Sequence, residues 1–395
     1  MRIQSSLSSL IGRLTTLQLY ERCPLALKTT QHATPTQRDQ PYRGRGAALN
    51  LEGRFEKWQR EAFDDGWEDE ELAASKPKTI ITHEHAKSII NTNDSPDIPF
   101  RYSLNPYRGC EHGCVYCFAR PTHSYLGLSP GLDFETRIFA KVNAPELLRE
   151  ELSKRNYQPD VISMGVITDA YQPCEREYKL TRQCLEIMSA FNQPVGLISE
   201  SALIERDLDI LQNMAERNLV HVTISITTLD HRISRYLEPR TAAPARRLLT
   251  IERLAKAGIP VGINVAPIIP FLTDHELETL LEAGRKVGAS TAGYILLRLP
   301  WELKEVFRDW LQHHFPLKAA HVMSRVQAMR GGRDNDPNFG SRMTGEGLLA
   351  ELLAQRFAKA CARLDLNNRG RRELQRLDIS RFAVPGQPLQ GTLFA

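Results

Sequence analysis

The chain has 395 residues, 42% of them hydrophobic and 25% charged, the balance of an ordinary globular protein long enough for one large domain with extensions or for two. It holds no run of roughly 18 apolar residues, so no membrane span is expected; its first residues (MRIQSSLSSLIGRLTTLQLY) lack the apolar core and cleavage site of a secretory signal, so a cytoplasmic location is expected. The net charge of +4 is unevenly spread: residues 1–50 carry seven Lys/Arg against two Asp/Glu, residues 321–395 twelve against seven, and 51–320 are net acidic, so the basic flanks suit either a polyanionic partner or simple solvation of two tails.

In chain order, residues 1–97 read as an irregular N-terminal extension, partly disordered. They hold Pro/Gly punctuation (QPYRGRGAALN) and an acidic run (EAFDDGWEDEE). His83 and His85, two apart with no third ligand beside them, read as surface residues rather than a metal site.

From 98 to 316 short apolar runs alternate with helical stretches. The strand candidates are RYSLN, TRIFAKV, VISMGVIT, PVGLIS, VHVTISI, PVGINVAPII and AGYILLRL. The helix candidates, with apolar residues at i, i+3 and i+4, are APELLREELSKR, LTRQCLEIMSAF, ERDLDILQNMAER, APARRLLTIERLAKAG, DHELETLLEAGRKVG and KEVFRDWLQHHF. Near-continuous apolar strands alternating with helices predict an α/β fold with a covered parallel sheet, and this many repeats fit a full or partial (β/α) barrel. Residues 317–395 read as a C-terminal helical extension and tail. Chemistry in such barrels sits at the C-terminal ends of the strands. Polar residues cluster there: Thr168 and Asp169, Ser199 and Glu200, Ser225, Thr227 and Thr228, Asn264, and Arg298. Some could instead only cap the following helix, as Asp169 and Thr273 could.

The first strand is followed by NPYRGCEHGCVYC, in which Cys110, Cys114 and Cys117 are spaced C-x3-C-x2-C and Gly109 and Gly113 allow the loop to bend. An odd total of seven cysteines in a chain without an export signal argues against a disulfide framework. Cys23, Cys174, Cys184 and Cys361 are scattered and read as small packing residues. A structural zinc site wants four ligands, often as two pairs, and no second pair exists. Three thiolates instead suit a four-iron cluster with one iron left open to an amine and a carboxylate.

This spacing, with Tyr116 just before the third cysteine, resembles the radical S-adenosylmethionine (SAM) superfamily. With GLDFETRIFAKVNAPELL, TDAYQPCERE, SITTLD, EPRTAAPARRL and AGIPVGINVAPIIP, it resembles in particular the spore photoproduct lyase-like branch, often called DNA repair photolyases. The resemblance implies a partial (β/α)6-type radical SAM barrel, a [4Fe–4S] cluster on Cys110, Cys114 and Cys117, and SAM near Tyr116, Thr168, Asp169, Ser225, Arg240 and Asn264. It also implies a reducing electron donor of the flavodoxin or ferredoxin type and a nucleic-acid substrate acted on in the manner of a DNA-lesion lyase. Radical modification of RNA, a protein or a small molecule is the alternative, and a non-enzymatic, cluster-stabilised DNA-binding protein a third.

Two departures stand out. Where the branch has a lysine in Thr-Lys-Ser, pairing with the SAM carboxylate, this chain has Ser199-Glu200-Ser201. Either Glu200 turns away or a cation such as Arg206 or Arg240 takes over. The hydrogen-donating cysteine of the lyases is missing from MGVITDAYQ, Cys174 comes later, and Tyr171 is the candidate donor. Finally, Gln390 to Phe394 (QGTLF) resembles the short peptide with which bacterial proteins dock on the DNA sliding clamp.

Overall fold

The structure is a computed structural model, and it describes residues 42, 44–55, 77–367 and 377–386. The expected disorder at the start of the chain, the acidic run, Cys23 and the clamp-like Gln390–Phe394 lie outside the described residues.

Six parallel strands form the main sheet: β3 (Tyr102–Leu104), β6 (Ile162–Met164), β7 (Val195–Ser199), β8 (Val220–Ser225), β9 (Val261–Ile268) and β10 (Thr291–Leu296). They stand in sequence order, from β3 at one side to β10 at the other, with short antiparallel β2 (Ile90–Thr92) beside β3. Each is followed by helix before the next, with Leu180–Ala190, Leu208–Glu216, Pro244–Lys256 and Leu277–Lys286 as the regular crossovers. This is the open (β/α)6 barrel expected from the alternation. The helices sit where their apolar spacing puts them: Pro244–Lys256 starts on a proline and buries Arg247, Ile251 and Leu254 on one face.

One strand belongs elsewhere. TRIFAKV becomes β5 (Arg137–Lys141) in a separate three-stranded sheet, parallel to β1 (Ile80–Glu84) and antiparallel to β4 (Tyr107–Arg108). Its strand partner β1 lies in the segment expected to be irregular, so the alternation count could not distinguish it from a barrel strand. Because β4 runs straight into Cys110, this small sheet anchors the start of the cysteine loop.

Two cores result. The larger lies between the barrel strands and their crossover helices. The smaller joins Ala47, Leu49 and Leu51 to Cys114, Val115 and Tyr116 and to the C-terminal helices Leu303–His314 and Pro316–Ala328. Among the described residues no helix is long and apolar enough to cross a membrane.

Candidate active site

The cysteine loop turns where two glycines adopt positive φ, Gly109 at 77° and Gly113 at 70°, a region a side chain would disfavour. Its backbone is held at both ends: Cys110 N–H donates to the Phe134 carbonyl at 3.0 Å and Val115 N–H to the Leu237 carbonyl at 2.9 Å. Gln172 adds two bonds, accepting from Glu111 N–H at 2.9 Å and donating to the Gly109 carbonyl at 3.2 Å.

Beneath the loop sits Arg120, fully buried. Its guanidinium donates to the carbonyls of Cys114 (2.9 Å), Gly113 (3.0 Å) and Gly131 (2.8 Å) and pairs with Glu135 at 2.6 Å. Glu135 in turn accepts from Gly46 and Ala47 N–H at 3.0 and 2.8 Å, strapping residues 44–51 against the loop. No local pattern marks either residue, because burial of a single Arg and Glu is a tertiary property.

Cys110 and Cys114 are buried and Cys117 half-buried. The three thiols lie within electrostatic reach of one another. Burial, then neighbouring Glu200, pushes the Cys114 thiol well up; burial, then Cys110, pushes Cys117 up to about 12. Three neighbouring thiols on one loop fit a cationic iron cluster, which deprotonates its ligands on binding. That is the donor set the group requires.

The strand ends meet this loop. Asp169, after β6, is buried and accepts from Ser199 Oγ (2.9 Å), Glu200 N–H (2.7 Å) and Tyr171 N–H (2.7 Å). It therefore ties two strand ends together rather than capping a helix. His112 Nδ1 lies 3.4 Å from Asp169 and 3.9 Å from Glu200. Burial works against a charged His112, but Cys110 and Asp169 outweigh it and raise its pKa; burial of Asp169 is likewise outweighed by His112, and its pKa falls.

Glu200 does not turn away. Its Oε2 is 3.0 Å from Cys114 Sγ and its Oε1 accepts from the Tyr116 hydroxyl at 3.3 Å. Of the cations named with it, Arg206 pairs with Glu175 and Asp207 at 2.7 and 2.8 Å, and Arg240 with Glu111 at 3.1 Å. Burial, then the charge of Glu238, raises the Glu200 pKa. Glu238 accepts from Tyr116, from Thr227 at 2.6 Å, and from Arg247, a fully buried ion pair. Tyr116 thus stands between two carboxylates at the site.

Thr168 Oγ1 is buried and has no hydrogen-bond partner among the described residues. Ser225 ends β8, buried, in register with Asn264 of β9. Arg240 reaches the loop through its backbone, donating to the His112 carbonyl at 3.2 Å. Tyr171 is not brought to this group by any described contact of its side chain. Its ring is packed in the main core, with the Arg206 guanidinium 6.0 Å from it.

An open parallel barrel with three converging thiols and buried polar groups at the C-terminal strand ends defines a metal-dependent enzyme of the barrel class. The radical SAM superfamily model matches residues 104–284. An uncharacterized protein of Mycobacterium tuberculosis H37Rv is 35% identical over 233 residues, 58% of this chain and 68% of its own length. An uncharacterized protein of Methanocaldococcus jannaschii is 27% identical over 191 residues, 48% of this chain and 68% of its own. Among solved structures, a mutant of spore photoproduct lyase matches with a TM-score of 0.51 at 17% identity, covering 72% of this chain and 79% of that one. The chain belongs to the radical SAM superfamily. It is an enzyme, and its cofactors are those of the family, a [4Fe–4S] cluster and SAM; such enzymes need a reductant.

Proposed function

We propose that this enzyme acts on nucleic acid in the manner of a DNA-lesion lyase, with Cys110, Cys114 and Cys117 holding three irons of the cluster and the fourth iron open to SAM. The observation that carries the cluster assignment is three thiols, two buried and one half-buried, within electrostatic reach of one another on one loop at the barrel mouth. A cluster and SAM held there would supply a 5′-deoxyadenosyl radical, one electron from the cluster breaking the sulfonium's carbon–sulfur bond and releasing methionine.

The chain's own residues position and shield that chemistry. Glu200 and Asp169 place carboxylates near the cysteine loop, and Glu200, less fully bonded than Asp169, would be the acceptor for the amine of the methionine moiety. Thr168 offers the same ligand a buried hydroxyl, unpartnered among the described residues. Tyr116, Ser225 and Asn264 line the strand ends around it, and Arg240 braces the loop through Glu111. The lower core formed by the C-terminal helices and the 44–51 strap keeps water from the loop.

The nucleic-acid reading is supported by the fold it shares with spore photoproduct lyase, one structure of which is complexed with dinucleoside spore photoproduct, and by the basic charge of residues 321–395. A target base would have to leave its stack to meet a buried radical. An oxygen-labile cluster and a reductant of the flavodoxin or ferredoxin type fit a cytoplasmic setting. The test is anaerobic incubation of the reconstituted protein with SAM and dithionite, with and without ultraviolet-damaged DNA. Loss of lesion supports the reading; 5′-deoxyadenosine formed equally with and without DNA, and no lesion loss, leaves only the superfamily chemistry.

A further inference from the structure

Arg298 follows the end of β10 and is half-buried. Among the described residues its hydrogen-bond partner is a thioether, Met343 Sδ at 3.3 Å, and its buried Nε has none. The acid nearest in effect, Asp97, is already bonded by Arg342. The guanidinium lies 5.6 Å from the ring of Phe118, the residue after Cys117, and that ring is 44% exposed.

The same arrangement recurs on both sides. Three residues along, Trp301 is 58% exposed with the Arg54 guanidinium 3.9 Å from its ring centre. On the other side, Phe339 is 60% exposed with Arg342 at 4.5 Å. Met343 joins that pair to Arg298. Arg298 touches Met343, the neighbour of Arg342, and stands three residues before Trp301, so three exposed rings, each beside a guanidinium, gather around Arg298 next to the residue that follows Cys117. Arg54 is already paired with Glu302 at 3.3 Å and Arg342 with Asp97, so Arg298 is the cation of the three whose charge an apolar partner would leave unanswered, which is costly. A chain with an anion on every unit and a flat face on every unit satisfies both features.

We infer that the Arg54/Trp301, Arg298/Phe118 and Arg342/Phe339 pairs are the track of a single nucleic-acid strand, with rings stacking bases and Arg298 taking a phosphate. The inference rests on the nucleic-acid reading above and adds where, and in what form, the substrate lies: as an unpaired strand, led past the cluster loop. None of these contacts reads the sugar, so DNA and RNA strands fit alike.

The test is fluorescence anisotropy with the anaerobically reconstituted full-length protein and a fluorescein-labelled oligothymidylate of about 15 nucleotides, repeated with oligouridylate and over a range of salt. Trp301→Ala and Arg298→Gln are each expected to weaken binding about tenfold. Arg298→Gln should also flatten the slope of log affinity against log salt by about 0.7, and Trp301→Ala should leave it unchanged. Loss of a merely structural side chain would not divide the two variants in this way. Trp301 is exposed enough to be replaced without unfolding should the Arg298 variant prove unstable. Wild-type binding that both variants retain would overturn the track and leave the nucleic-acid reading standing. A wild-type protein that binds neither strand at low salt would overturn both.

Discussion

Glu200 Oε2 lies 3.0 Å from Cys114 Sγ, so a carboxylate faces the proposed cluster ligands where the resemblance leads one to expect a lysine. An amine on the open iron would present N–H groups to it, and a carboxylate acceptor suits that better than the repulsion expected from the sequence. Glu200→Gln is expected to weaken SAM binding about tenfold, a hydrogen bond to a charged group being lost, with iron content unchanged. Equilibrium dialysis of labelled SAM checks it; tighter binding by the variant would mean that Glu200 repels the ligand.

Arg247 and Glu238 form an ion pair in which each side chain is 1% exposed. Removing one partner leaves a buried charge, at a cost of about 3–5 kcal/mol. Arg247→Met should therefore unfold at markedly lower denaturant concentration, and Arg247→Met combined with Glu238→Gln should recover part of the loss. Chemical denaturation of the three proteins measures this.

Gly46 is where the strap crosses the cysteine loop. A Cβ there would stand 1.8 Å from the Gly113 carbonyl oxygen, a backbone atom that cannot swing aside. Gly46→Ala should push the strap off the loop and expose the cluster. The expected outcome is faster loss of cluster absorbance in air, at a secondary-structure content equal to wild type.

Glu205 binds three partners: Arg246 at 2.9 Å, Arg253 at 2.6 Å and Thr250 at 2.7 Å. Burial would raise its pKa, but hydrogen bonds from Arg246, Thr250 and Arg253 outweigh it and lower it from 4.5 to about 2. A depressed carboxylate contributes stability above its unfolded pKa and loses it as the pH falls toward the folded one. Glu205→Gln should thus lower the melting temperature at neutral pH, and its difference from wild type should shrink between pH 4.5 and about 2.

The cysteine loop was legible because its spacing is local: three sulfurs and two glycines within nine residues need no tertiary information. The six parallel strands were legible because buried parallel strands read as apolar runs. TRIFAKV read the same way and sits in another sheet, since pairing with Ile80–Glu84 is not written in either segment alone. Arg120, Glu135 and Arg247 escaped notice because a buried cation looks like a surface one until its partners are placed. Arg247 alone left a trace, falling on the apolar face of its helix with Ile251 and Leu254.

The account stands on iron held by Cys110, Cys114 and Cys117 with one site open to SAM. Anaerobic reconstitution, iron and sulfide analysis, and low-temperature electron paramagnetic resonance of the reduced protein before and after SAM test it most directly. About four irons and four sulfides per chain are expected, with a spectrum that shifts on adding SAM and a cluster that fails to assemble in Cys114→Ala. A protein that takes up zinc but not iron, or a cluster whose spectrum SAM leaves unmoved, would contradict it.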